Sequence, residues 1–93
     1  MKITIGIPAF NEEEKLPEIL KELKSITNSI IVCDDGSTDK TSTIAEKLGA
    51  KVIKHEKNLG YGSAIKSIFE MTSGMDTEIL VTFDADGQHR IED

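Results

Sequence analysis

Four short apolar runs alternate with three stretches of helical periodicity, and few folds accommodate that alternation. The runs are Ile3 to Ile7, Ser29 to Cys33, Lys51 to Lys54 and Glu78 to Phe83. Strands joined by a tight turn pair antiparallel, whereas connections of about a dozen residues that hold a helix make parallel crossovers of right-handed sense. The expected order is β-α-β-α-β-α-β, an α/β fold of three layers around a mostly parallel sheet of about four strands.

The helical stretches carry their own signals. Leu16, Ile19, Leu20, Leu23 and Ile26 recur at spacings of three and four, the stripe of a helix with one buried face. Asn11 with Glu14 three residues on has the spacing of a capping box, and Pro17 is tolerable only early in a helix. A second helix is expected from Ile44, Ala45 and Leu48 and closes at Gly49. The third turns Ala64, Ile65, Ile68, Phe69 and Met71 inward and ends near Gly74. Pro8 is expected to end the first strand, and the lysines of Lys51-Val52-Ile53-Lys54 suit the edge of a sheet.

In a parallel sheet, ligands sit outside the carboxyl ends of the strands. Those ends read Pro8-Ala9-Phe10-Asn11-Glu12, Cys33-Asp34-Asp35-Gly36, His55-Glu56-Lys57-Asn58 and Asp84-Ala85-Asp86. Polar groups concentrate on one rim, and the last strand delivers two carboxylates at i and i+2. Aspartates are poor strand formers, so a pair at a strand tip reads as a site, although Asp and Gly there also suit an ordinary turn. Carboxylate oxygens of this kind suit Mg²⁺ or Mn²⁺, which keep waters and share phosphate oxygens. Asp34 and Asp35 read as ligand contacts, while Ser37 to Asp39 read as helix-capping residues. Gly60-Tyr61-Gly62 is no dinucleotide fingerprint, lacking the third glycine and following the wrong strand. His55 reads as a partly exposed residue after the third strand, and His89, with no zinc-type cluster elsewhere, either shapes its loop or touches ligand.

Composition narrows the partners. A formal net charge of −6 argues against nucleic acid or an anionic membrane surface. Three Phe, one Tyr and no Trp leave little on which bases could stack. Cys33 is the one cysteine, so no intrachain disulfide forms, and it reads as a small buried hydrophobe. No run has the length of a membrane span, and the amino terminus enters a strand at once, which gives a cytoplasmic expectation.

Four segments together resemble the amino-terminal, nucleotide-binding half of a family 2 glycosyltransferase of the GT-A fold. They are Ile7 to Glu13, Val32 to Asp39, Asn58 to Ala64 and Asp84 to His89. Within that family the likeness is to dolichyl- or polyprenyl-phosphate sugar transferases. The resemblance implies that Pro8, Phe10 and Glu12 line a nucleotide pocket, that Val32 and Asp34 meet the base, and that Asp35 lies close by. It implies that Asp84 and Asp86 hold Mg²⁺ or Mn²⁺ on the donor diphosphate, with Asp84 also near the nucleotide and Gln88 near the donor sugar or phosphates. The implied reaction is inverting transfer of a hexose from a UDP- or GDP-sugar to an acceptor such as a polyprenyl phosphate or a glycan.

The subgroup's proline before its Glu-Asp pair is replaced here by Ile91. Relatives of this kind continue for about a hundred residues or more, a domain's worth of chain. Residues 1–93 are therefore expected to form a truncated nucleotide-sugar-binding domain without the acceptor half or any general base. Alone, such a domain is expected to be inactive and to self-associate through exposed sheet. Two other enzymes fit worse. A haloacid-dehalogenase-like phosphatase needs its Asp-x-Asp-Gly on the first strand, and a receiver-like domain needs a phosphoacceptor on a later strand with a lysine near its carboxyl end. The non-catalytic alternative is a nucleotide-sugar-binding or structural α/β fragment.

Overall fold

The computed structural model of the chain describes residues 2–83. Its elements run β1 (Ile3–Ala9), α1 (Leu16–Leu23), β2 (Ile30–Asp35), α2 (Thr41–Lys47), β3 (Lys51–His55), α3 (Tyr61–Ser73) and β4 (Ile79–Thr82). Every strand pair is parallel and the sheet order is β3-β2-β1-β4. The first two crossovers move outward from β1, and the third returns across the sheet to β1's other side. The direction of winding therefore reverses between β1 and β4, the place where doubly wound sheets open a ligand crevice.

Three layers follow from which residues point where. Ile5, Ile7, Ala9, Ile30 and Val32 meet Leu16, Ile19, Leu20, Leu23 and Ala45, so α1 and α2 share one face. Ile31 and Cys33 meet Ala64 and Ile68 of α3 on the other. Burying each large aliphatic of the α1 stripe contributes roughly 1.5–3 kcal/mol.

Several local expectations are corrected. Asn11 does not cap α1, which starts at Leu16 behind Lys15 without a side-chain cap. The helix stops at Leu23, which leaves Ile26 exposed. Phe69 is exposed too, because Ala64, Ile68 and Thr72 form the buried line of α3. Pro8 lies inside β1, paired in register with Cys33. Alternate residues of β1 turn to opposite neighbours: Ile5 donates to Ser29 on the β2 side, and the carbonyl of Gly6 accepts from Phe83 on the β4 side. Pro8 shares Gly6's side, past the last β1–β4 pair at Gly6 and Thr82, so its missing N–H breaks no bond of the described ladder. Lys51 and Lys54, three residues apart, fall on opposite faces; the outer position of β3 exposes both.

The end of α2 matches expectation closely. Gly49 sits at φ 90°, its N–H donates to Glu46, and Ala50 donates to Ala45, the paired bonds of a Schellman stop. β4 is the least covered strand, with Ile79 and Val81 both exposed. Among the described residues no helix is long and apolar enough to cross a membrane.

Candidate functional site

Three loops leave the carboxyl rim, after β1, β2 and β3, and each is tied to its neighbour by a side chain bonding backbone. Asn11 stands at φ 51°, a left-handed conformation that asparagine tolerates better than most residues. Its amide N–H donates to Ser37 Oγ at 2.8 Å, and its side-chain oxygen accepts from the Thr38 N–H at 2.9 Å. Glu12 N–H donates to Thr41 Oγ1 at 3.0 Å, Glu13 N–H to Asp39 Oδ2 at 3.2 Å, and Lys40 N–H to Glu13 Oε1 at 3.1 Å. The first two rim loops are thus laced together by reciprocal bonds.

Asp39 serves both loops. Besides Glu13, it accepts from the Thr41 N–H at 2.9 Å, which satisfies a first-turn donor of α2, and from the Thr41 hydroxyl. Burial pushes its carboxyl up, but those hydrogen bonds prevail and hold it below the ordinary 3.8. Of the three expected capping residues only Asp39 takes a first-turn N–H of α2; Ser37 and Thr38 bond Asn11 of the first loop instead, and the helix starts behind Lys40 without a side-chain cap.

Asp34 and Asp35, at the tip of β2, are both buried. Asp34 Oδ1 accepts from the Ser37 N–H at 2.9 Å and Oδ2 from the Ser42 hydroxyl. Asp35 reaches the third loop: Oδ1 accepts from Leu59 N–H at 2.9 Å and Oδ2 from Gly60 N–H at 2.8 Å. Desolvation raises the Asp35 carboxyl, yet the bonds from His55, Leu59 and Gly60 outweigh it, and the group titrates below 3.8. Gly36 seals the same junction. A Cβ there would lie 2.4 Å from the Asn58 nitrogen and the Lys57 carbonyl carbon, and its φ is 78°. Only glycine permits that backbone-on-backbone approach.

Pro8 and Glu12 are partly exposed and Phe10 is exposed, all three at the end of β1 or in the loop beyond it. Val32 has no exposed surface and packs in the core between β2 and the α1–α2 layer. Asp84, Asp86, Gln88 and His89 lie outside the described residues. Phe83 is the last described position, and its N–H donates to the Gly6 carbonyl at 2.9 Å, beside the reversal between β1 and β4. Among the described residues no three His, Cys, Asp or Glu side chains form a metal-holding group. Asp34, Asp35 and Asp39 each accept internal hydrogen bonds. The metal pair expected from the sequence, Asp84 and Asp86, is not among the described residues.

His55 is more engaged than its residue type announces. Its Nδ1 is 2.8 Å from Asp35 Oδ1, its Nε2 is 2.8 Å from Ser67 Oγ, and Cys33 Sγ is 3.7 Å from the same Nε2. Its partners are 20, 12 and 22 residues away, so no local motif exposes the arrangement. The position of His55 at a strand end beside an acidic one was the available signal.

A cavity of about 500 Å³ opens at the opposite rim, among Lys2, Thr27, Ser29, Lys51 and Met75. Among the described residues that line it there is no carboxylate, histidine or cysteine, and it faces the amino ends of the strands. The parallel-sheet rule and the placement of the titratable groups both favour the carboxyl rim.

The sequence model of the family described as Glycosyl transferase family 2 matches residues 4–93. An uncharacterised protein of Methanocaldococcus jannaschii, MJ1222, is 45% identical over 99% of this chain and 38% of its own length. The UDP-N-acetylglucosamine–dolichyl-phosphate N-acetylglucosaminyltransferase of Methanococcus voltae is 36% identical over 98% of this chain and 43% of its own. Among solved structures, glucosyl-3-phosphoglycerate synthase of Mycobacterium tuberculosis, crystallised with Mn²⁺, UDP-glucose and phosphoglyceric acid, superposes with a TM-score of 0.74 at 27% identity. That likeness covers 91% of this chain and 33% of the synthase. The chain thus spans less than half the length of these relatives.

Proposed function

The chain belongs to glycosyl transferase family 2 and has the α/β architecture of its GT-A members; on that premise we propose that it forms the donor-nucleotide side of a sugar transferase. The reading has Pro8, Phe10 and Glu12 line the nucleotide pocket, with Val32, Asp34 and Asp35 behind its base side. Asp84 and Asp86 would hold Mg²⁺ or Mn²⁺, and Gln88 would stand near the donor sugar or phosphates. The observation that supports it most is the lacing of three rim loops beside the point where the sheet reverses its winding. Preorganised loops there suit a ligand that must be held still for displacement at one carbon.

The metal, when bound, neutralises charge on the departing diphosphate. The chain's own residues do the rest of the donor-side work: the loops position the nucleotide, and Phe10 offers an apolar surface at the rim. The proposed donor is a UDP- or GDP-sugar, and the proposed acceptor a polyprenyl phosphate at the cytoplasmic face of a membrane. A phosphate acceptor is already a nucleophile and needs no strong base. Copies of the chain would self-associate through β4, where Ile79 and Val81 are exposed.

Calorimetric titration of the chain with UDP and GDP, each with and without Mn²⁺, tests the reading. Metal-dependent heat that disappears in Asp86→Ala supports it. Binding unchanged in that variant removes the metal role, and no binding of either nucleotide removes the donor site.

A further inference from the structure

We infer that His55 is a positioning residue that fixes the loop between β3 and α3 through Asp35, and so sets one wall of the proposed nucleotide pocket. The inference rests on that pocket reading for its functional half and on geometry for its structural half. The imidazole is nearly buried, its side chain 11% exposed against 6% for Asp35, and it joins elements from both flanks of the loop. A carboxylate can only accept, so Nδ1 carries the proton shared with Asp35 Oδ1, and in the neutral ring Nε2 accepts from the Ser67 hydroxyl. One end of the ring is therefore anchored on α3, and the other holds the plane of the Asp35 carboxylate.

That plane matters because both Asp35 oxygens are in use. Oδ1 takes His55 and the Leu59 N–H together, while Oδ2 takes the Gly60 N–H. A rotation of the carboxylate would break both loop bonds at once. Gly60 stands at φ 102° and opens α3, so its amide direction governs where the chain turns into the helix. The loop is also pressed backbone to backbone against Gly36, the residue after Asp35. Loosening the Asp35 clamp would thus shift the third loop against the second, at the rim of the proposed nucleotide pocket. Cys33 contributes no ionised group to this cluster: burial, then the charges of Asp35 and Asp34, push its thiol up to about 11.

The test compares amide hydrogen exchange and nucleotide affinity in His55→Phe, His55→Asn and Ser67→Ala with the unaltered chain. His55→Phe removes both ring bonds, whereas Asn places an amide donor near the position of Nδ1. In His55→Phe, exchange at Leu59 and Gly60 should rise about tenfold or more while Val32 and Cys33 keep their protection, and affinity for UDP or GDP with Mn²⁺ should fall about tenfold. His55→Asn should restore most of both, and Ser67→Ala should give a smaller change in the same direction. Equal protection at Leu59 and Gly60 in all four proteins overturns the inference, as does a rise spread evenly over β2 and the loop. If the unaltered chain binds neither nucleotide, the pocket reading fails, and the exchange pattern still decides whether His55 holds the loop.

Discussion

Gly6 lies directly beneath Ile68: a Cβ at residue 6 would come within 2.5 Å of Ile68 Cγ2. Ile68 is fully buried against Ile31, Cys33 and Ala64, so moving it aside disturbs the core. Here α3, the helix that carries Ser67, comes close to the backbone of β1. Gly6→Ala should therefore destabilise by roughly 1–3 kcal/mol through overpacking. Ile68→Val in the same chain should recover part of the loss, read from urea unfolding midpoints. A Gly6→Ala protein as stable as the parent would mean that α3 is seated farther from the sheet.

Acid should weaken the fold by more than surface carboxylates would account for. Asp35 and Asp39 both titrate below 3.8 in the folded chain, the result of hydrogen bonds outweighing burial. A depressed carboxyl contributes stability that is complete above its unfolded value and is lost as pH falls through the folded one. Unfolding midpoints should thus hold steady from pH 7 to about 5 on account of these groups and decline below about pH 4. Asp35→Asn should be less stable at pH 7 and show a shallower decline. An unchanged slope in that variant would remove Asp35 from the clamp.

Much of the fold was legible because it is written in local pattern. The apolar runs of β1 and β2, the stripe Leu16, Ile19, Leu20 and Leu23, and the stop at Gly49 each depend on neighbours a few residues away. What the pattern could not show depends on partners far along the chain. Asn11 with Glu14 looks like a helix start, yet its partners are Ser37 and Thr38 on another loop. Phe69 follows helical spacing but lies just beyond the strip that the sheet can cover. Asp34 and Asp35 were readable as special because two aspartates end an apolar strand; that they are spent on Ser37, Ser42, Leu59 and Gly60 is a matter of tertiary geometry.

Cys33 should resist alkylation. Its thiol is buried and titrates near 11, so almost none of it is thiolate at pH 8. Iodoacetamide at pH 8 should label the native chain far more slowly than the chain in urea, as followed by intact mass. Equal rates would place Cys33 at the surface.

Asn11 has two separable jobs, holding a left-handed backbone and bridging to Thr38. Asn11→Gly keeps the first and loses the second; Asn11→Ala loses both. Stability should fall in the order Asn, Gly, Ala, with steps of about 1 kcal/mol. If the Gly variant matches the parent, the bridge contributes nothing and the loops are held by the bonds the substitution leaves, those at Ser37, Thr41, Asp39 and Glu13.

The most direct measurement is paramagnetic broadening of backbone amide signals by Mn²⁺, recorded with and without UDP or GDP. With nucleotide present, broadening should concentrate at Phe10 to Glu12, Asp34 to Gly36 and Thr82 to Phe83, the carboxyl rim around the reversal between β1 and β4. Amides at Lys2, Ser29 and Lys51, on the opposite rim, should be spared. Broadening centred on that opposite rim, or spread evenly over the chain, would contradict a donor-nucleotide and metal site at the carboxyl ends of the strands.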